Sequence, residues 1–179
     1  LEFPEADQLL RYALPMARRI ATLKKRAKEH GVPVIYVNDN FGRWRSDFSA
    51  QVEHCLRDGV RGKEMAELLR PDDDDYFVLK PKHSGFFSTA LDTLLDYLGV
   101  QTVSLAGIAT NICVLFTAND AYMRDFKLIV PSDCAASSMT GNPSASISRT
   151  GATLPNRCTA ITAFVSRVIA ARTVSAVTV

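Results

Sequence analysis

The sequence is poor in the residues that mark several functional classes. It has three histidines, and neither a His pair nor a His–carboxylate pair stands at metal-ligand spacing, so no metal is expected. Its four cysteines, at 55, 113, 134 and 158, form no CxxC pair and no dense cluster. That pattern argues against a disulfide framework and for a reducing, cytoplasmic setting. No apolar run approaches the roughly 18–20 residues of a membrane span, and no basic-then-apolar leader opens the sequence. A glycine-rich phosphate loop and internal repeats are also missing, so no cofactor is expected.

Acidic residues run out altogether after Asp133. Residues 1–133 carry 17 Lys+Arg against all 19 Asp+Glu, a charge of −2, whereas residues 134–179 carry Arg149, Arg157, Arg167 and Arg172 with no lysine and no acid, a charge of +4. An even spread of acids would leave such a stretch acid-free roughly once in a thousand sequences. The formal net charge of +2 therefore sums two unlike segments and is no argument for a polyanionic partner. With no basic stripe in the first segment, neither nucleic acid nor a membrane surface is expected as a partner.

What is present reads as one globular domain of 179 residues, 47% hydrophobic and long enough to bury a core. Leu14, Ala17, Ile20, Leu23 and Ala27 recur at helical spacing with basic residues between them, and Gly31 follows as a C-terminal stop. Pro15 marks the first turn of that helix or a kink within it. Val32 to Val37 is a β-branched run of strand length, followed by a polar loop from Asn38 to about Ser49. A short helix is expected over 62–69, and the aspartates at 72–75 as a solvated turn. Strands are expected at 76–79, 102–106 and 127–130, with helices at 89–98 and 111–124 between them. This alternation implies βαβ units and a doubly wound parallel sheet covered by helices on both faces. After Asp133 the rhythm fades into Ser/Thr-rich text, with only a weak helix at 160–168 and a weak strand at 173–179.

In such sheets ligands bind beyond the C-terminal ends of the strands. Cys113 falls in the first turn of the helix after the third strand, where free backbone N–H groups and the helix dipole favour thiolate and can stabilise an oxyanion. The alternative is a small buried apolar residue. Lys80 directly follows Phe-Val-Leu at a strand end, where it can activate a cysteine or orient a substrate, or simply be a surface lysine. The loop from Asn38 to Arg45 offers Phe41 and Trp44 as pocket residues. His83 lies three residues past Lys80, but only the fold can bring it to Cys113.

Three stretches together resemble the isochorismatase-like cysteine hydrolases. They are Val34-Ile-Tyr-Val-Asn-Asp-Asn-Phe-Gly-Arg-Trp, Val78-Leu-Lys-Pro-Lys-His-Ser-Gly-Phe-Phe-Ser-Thr and Ala106-Gly-Ile-Ala-Thr-Asn-Ile-Cys-Val, the last continuing to Thr117-Ala-Asn-Asp-Ala121. The resemblance runs over residues 1–138. It implies a doubly wound α/β fold with an Asp–Lys–Cys trio, in which Cys113 is the nucleophile and Lys80 the lysine. It further implies a cis peptide at Ile108–Ala109, an oxyanion hole from the N–H groups of Ala109 and Cys113, a homo-oligomer and a small-molecule substrate lined by Phe41, Trp44 and Phe86. The implied reaction is cleavage of an amide or ureido-type C–N bond through a thioester. Isochorismatases proper, which cleave a vinyl ether without needing the cysteine, are the alternative, as is a non-catalytic remnant or oligomerisation module. The metal-binding nicotinamidase branch carries an Asp/His cluster where this sequence has Asn38-Asp39-Asn40, so no metal is implied.

Two departures stand out. The family's aspartate closes an N-terminal strand, and neither Glu5 nor Asp7 follows a hydrophobic strand, so it transfers to no residue here. The first, central strand is accordingly expected to be missing, with strand edges exposed in its place. The second departure is the tail. Residues 1–138 are expected to form the hydrolase domain and 139–179 an atypical segment arising from a reading-frame change near Met139 to Asn142.

Overall fold

The computed structural model describes residues 6–42, 44–45, 47–137 and 175–178. The expected alternation is present; the first helix begins earlier than the periodicity suggests, and the helices at 89–98 and 111–124 are shorter than expected. Helix α1 runs Ala6–Glu29 with Pro15 inside it, so the proline does not open the helix. Strand β1 (Val34–Asp39) follows, then α2 (Phe48–Cys55), α3 (Lys63–Leu68) and β2 (Tyr76–Lys80). The next elements are α4 (Leu91–Tyr97), β3 (Thr102–Leu105) and the short β4 (Gly107–Ile108). A π-helical turn, Thr110–Val114, leads into α5 (Leu115–Tyr122), and β5 (Lys127–Ile129), β6 (Ala135–Ala136) and β7 (Ser175–Thr178) complete the described elements. The expected helix at 160–168 lies outside the described residues.

The five-stranded sheet has the order β2-β1-β7-β3-β5, and every pairing in it is parallel. Alternate side chains of β1 serve opposite faces, as a period of two requires. Val34 and Tyr36 join Leu9, Ala13, Met16, Ile20, Leu23 and Ala27 of α1. Ile35 joins Leu91 and Leu95 of α4, Val114, and Ala118 and Ala121 of α5. Helices therefore cover both faces, the doubly wound arrangement expected. Ile20, Ile35 and Leu95 are fully excluded from water, and each such side chain contributes about 1.5–3 kcal/mol through burial.

The centre of the sheet corrects one expectation. It is not left open with exposed edges, because β7 lies between β1 and β3 and pairs in parallel with both. The expected strand at 173–179 thus exists in its central part, at a place its position in the sequence does not suggest.

The aspartate run is a second correction. It is not merely a solvated turn, because the Asp75 side chain is only 1% exposed and its Oδ2 lies 2.6 Å from Lys24 Nζ. Lys24 also donates to the Tyr36 hydroxyl (3.0 Å) and to the Arg70 carbonyl (2.9 Å), while Lys28 pairs with Asp72, Asp74 and Asp75. This network fastens α1 to the chain entering β2. One carboxylate oxygen from each of Asp72, Asp74 and Asp75 falls within a 4.8 Å cluster, and the ammonium groups of Lys24 and Lys28 offset two of its three charges. Among the described residues no helix is long and apolar enough to cross a membrane.

Candidate active site

The C-terminal ends of β1 and β2 stand side by side, with Asp39 in register with Lys80. The ladder continues one step further, where the Asn40 N–H donates to the Lys80 carbonyl at 2.9 Å. Adjacent parallel strands that end in opposite charges bring those charges together, and Lys80 Nζ donates to Asp39 Oδ1. The same ammonium donates to the Lys82 carbonyl at 3.1 Å and to Cys113 Sγ at 3.4 Å. A lysine ammonium has three N–H bonds, and here each has a partner. Lys80 is only 3% exposed, so the reading of it as a surface lysine does not hold.

Cys113 reaches this point from the other half of the sheet. β3 runs into β4, the Ile108–Ala109 peptide is cis, and the π-helical turn begins at Thr110. The Ala109 carbonyl accepts from Ile112 N (3.0 Å) and Val114 N (3.3 Å), so the turn folds back on the residue that precedes it. Ser137 Oγ donates to Asn111 Oδ1 at 2.8 Å from the opposite side. Cys113 itself is partly exposed.

The loop after Lys80 is stitched to the helix after Cys113. Ser84 donates its hydroxyl hydrogen to Asp120 Oδ2, and the Gly85 N–H donates to Thr117 Oγ1 at 2.9 Å. Ser84 Oγ also accepts from the Phe86 N–H at 3.1 Å. Gly85 is required by space, because a Cβ there would lie 3.0 Å from both Leu91 Cδ2 and Val37 Cγ1. The motifs around Lys80 and Cys113 are therefore one packed unit.

The remaining expected site residues divide. Phe41 and Trp44 stand on the surface of the loop after β1, 78% and 80% exposed. Phe86 does not line an open pocket. It is buried in the core against Phe126 and beneath the Arg124 guanidinium, where its ring fills space between α4 and α5. His83 packs against the exposed Phe116 ring at a centroid distance of 5.6 Å. Cys134 is a different kind of thiol from Cys113. Burial, reinforced by the neighbouring Asp133 charge, pushes it up to about 12.

Asp39 is the site residue that sequence reasoning passed over. The signal was available in two strands of opposite terminal charge, but only their adjacency in the sheet gives it meaning.

A thiol and a carboxylate are thus joined through one buried ammonium at the strand ends of a doubly wound α/β sheet. Residues 8–162 match the family model for the isochorismatase domain, and the chain belongs to the isochorismatase family of hydrolases. It is 43% identical over 136 residues to the uncharacterized isochorismatase family protein YaaI of Bacillus subtilis, covering 76% of this chain and 74% of that one. A shorter match of 37% over 81 residues links it to the ureidoacrylate amidohydrolase RutB of Methylorubrum extorquens, covering 45% of this chain but only 33% of that enzyme. Among solved structures, the N-carbamoylsarcosine amidase of Thermoplasma acidophilum superposes with a TM-score of 0.58 at 31% identity, covering 83% of this chain and 82% of that one. An isochorismatase family protein of Desulfovibrio vulgaris shares the fold with a TM-score of 0.66 at 24% identity, over 90% and 87% of the two chains.

Proposed function

We propose that this protein hydrolyses the C–N bond of a small amide or ureido-type compound, with Cys113 as nucleophile. The observation that carries the reading is the buried Lys80 ammonium, held between the Asp39 carboxylate and Cys113 Sγ. Relatives that include a ureidoacrylate amidohydrolase and an N-carbamoylsarcosine amidase support C–N cleavage.

In this reading the Cys113 thiolate attacks the carbonyl carbon and a C–S bond forms. The tetrahedral oxyanion is held by the N–H groups of Ala109 and Cys113. The C–N bond breaks, and the nitrogen takes up the proton that left the thiol and departs as ammonia or an amine. Water then attacks the thioester, releasing a carboxylic or carbamic acid and returning a proton to sulfur. Lys80 stabilises the thiolate. Asp39 fixes the ammonium and balances its charge, taking the place of the aspartate that the family resemblance left unassigned. Phe41 and Trp44 offer apolar surface to the substrate, and no step uses a metal or cofactor.

Ammonia release from a panel of primary amides and N-carbamoyl compounds tests the proposal, together with mass detection of a Cys113 acyl adduct. Cys113→Ser and Lys80→Met are expected to abolish turnover. Lys80→Met is also expected to slow iodoacetamide alkylation of Cys113 about 10–100-fold, because an adjacent cation favours thiolate. Vinyl-ether cleavage that survives Cys113→Ala would point instead to isochorismatase-type chemistry. No turnover of any panel member, with sluggish Cys113 labelling, would mark a non-catalytic remnant.

A further inference from the structure

One row of the helix that carries Cys113 is polar, and each of its members meets the segment that carries Lys80. Cys113, Thr117 and Asp120 recur at spacings of four and three, which aligns them along the turn Thr110–Val114 and α5. Arg124 extends the row just past the end of α5. Cys113 Sγ accepts from Lys80 Nζ, Thr117 Oγ1 from the Gly85 N–H, and Asp120 Oδ2 from the Ser84 hydroxyl. Arg124 Nε donates to Asp92 Oδ2 at 3.2 Å, and its guanidinium covers Phe86. Ser84, Gly85 and Thr117 are buried. A buried hydrogen bond fixes a distance and a direction that apolar packing alone leaves free to slide.

The contacts close a circuit through the site. The Lys80 ammonium ends a flexible four-carbon stem, so its acceptors decide where it stands. Asp39 supplies one acceptor from β1, and the Lys82 carbonyl, at 3.1 Å, supplies another from the loop. Two and three residues further on, Ser84 and Gly85 pin that loop to α5. From Asp120 and Thr117 the helix leads back seven and four residues to Cys113, whose Sγ lies 3.4 Å from the ammonium. The Lys82 acceptor and the thiol thus keep their spacing by way of two hydrogen bonds that touch neither of them. Misplacing a reacting group by about 1 Å can cost on the order of 100-fold in rate, even when the cause lies away from the chemistry.

We propose that Thr117 and Asp120 are positioning residues. By holding the loop after Lys80 at a fixed height on α5, they seat the ammonium on Cys113 Sγ and so set the reactivity of the thiol. Their part in turnover rests on the hydrolase reading above, whereas their control of Cys113 reactivity does not. Arg124 lies on the same row but outside the circuit, so it contributes to stability without seating Lys80.

The test measures iodoacetamide alkylation of Cys113 in the full chain at pH 7.5, in the parent and in the Lys80→Met background. Thr117→Val leaves the Gly85 N–H without its acceptor, and Asp120→Ala does the same to the Ser84 hydroxyl. Each is expected to slow alkylation of the parent by about 5–20-fold. Any C–N hydrolase activity should lose at least 10-fold in kcat, with KM within about 3-fold. Thr117→Ser keeps the hydroxyl and is expected to restore the rate to within about 2-fold. Because the clamp acts through Lys80, neither substitution should slow the Lys80→Met chain by more than about 2-fold. Arg124→Met should lower the melting temperature and leave alkylation at the parent rate, which a merely structural role for the row would not predict. Equal slowing in both backgrounds would overturn the proposal, as would parent-like alkylation in folded Thr117→Val and Asp120→Ala. Slowing by Arg124→Met as large as that by Thr117→Val would overturn it too, since general loosening would then suffice. Should neither variant fold, Ser84→Ala, which removes a single hydroxyl, is read in both backgrounds by the same criteria. The expected alkylation pattern without turnover of any amide supports the positioning role and sinks the hydrolase reading alone. Turnover with equal slowing in both backgrounds does the reverse.

Discussion

Replacing Lys24 by methionine keeps most of the apolar stem and removes a charge that four groups use. Asp75 Oδ2 lies 2.6 Å from Lys24 Nζ with its side chain 1% exposed, and Asp72 Oδ2 lies at 3.1 Å but half in water. The Tyr36 hydroxyl and the Arg70 carbonyl accept the other hydrogen bonds. Stranding one partner of a buried pair costs about 3–5 kcal/mol. Lys28 Nζ remains 2.9 Å from Asp75 Oδ1, so the expected cost falls to about 2–4 kcal/mol. At about 2–4 °C per kcal/mol for a chain of this size, the melting temperature drops by roughly 4–16 °C. Urea denaturation followed by circular dichroism measures the free energy directly. The companion variant supplies the sharper test. In the Lys24→Met background, Asp75→Asn removes the stranded charge and is expected to recover about 1–2 kcal/mol, although the same change in the parent destabilises. A loss below about 1 kcal/mol for Lys24→Met, or an additive loss in the double variant, would show that the cluster is not a buried electrostatic fastening.

The fold was legible because its signals are local. Leu14 to Ala27 displays a helical period, and the β-branched run at 32–37 can only be a strand buried on both faces. The Cys113 motif shows the same legibility, since a strand followed by a helix start places the thiol by itself. Phe86 misled because an aromatic residue next to a site motif reads equally well as pocket or core, and only the position of Phe126 and Arg124 decides between them. Asp39 was visible as a residue but not as a partner of Lys80, because lateral strand order is a non-local property. The aspartates at 72–75 failed for the same reason. Their lysine partners lie more than forty residues earlier on α1, and a charge run carries no mark of what will cover it. β7 is the extreme case. Its four residues have weak strand character, and their central place follows from two buried edges that the rest of the chain creates.

Three further outcomes are expected. Gly85→Ala introduces a Cβ at 3.0 Å from Leu91 Cδ2 and Val37 Cγ1, and urea denaturation should show a loss of about 1–3 kcal/mol from overpacking. Under native conditions at pH 8, Cys134, held up to about 12, has about one part in ten thousand as thiolate, so peptide mapping after alkylation should find Cys113 labelled and Cys134 unmodified. The last concerns acid. Hydrogen bonds from Lys28 and then Lys24 hold the Asp72 carboxyl below the usual aspartate range. A carboxyl depressed in the folded state contributes stability above its unfolded pKa of about 3.9, and that contribution disappears as pH falls through the folded value. The Lys28 ammonium is raised by Asp72, Asp74 and Asp75 against the opposing effect of burial. Its contribution is therefore complete below the unfolded lysine pKa of about 10.4 and is lost only as pH rises through the higher folded value. The stability difference between the parent and Lys28→Met should accordingly be flat from about pH 5 to 9 and shrink below about pH 4. A difference that stays constant or grows on acidification would mean that Lys28 stabilises the fold by something other than its pairing with these carboxylates, and would refute the reasoning.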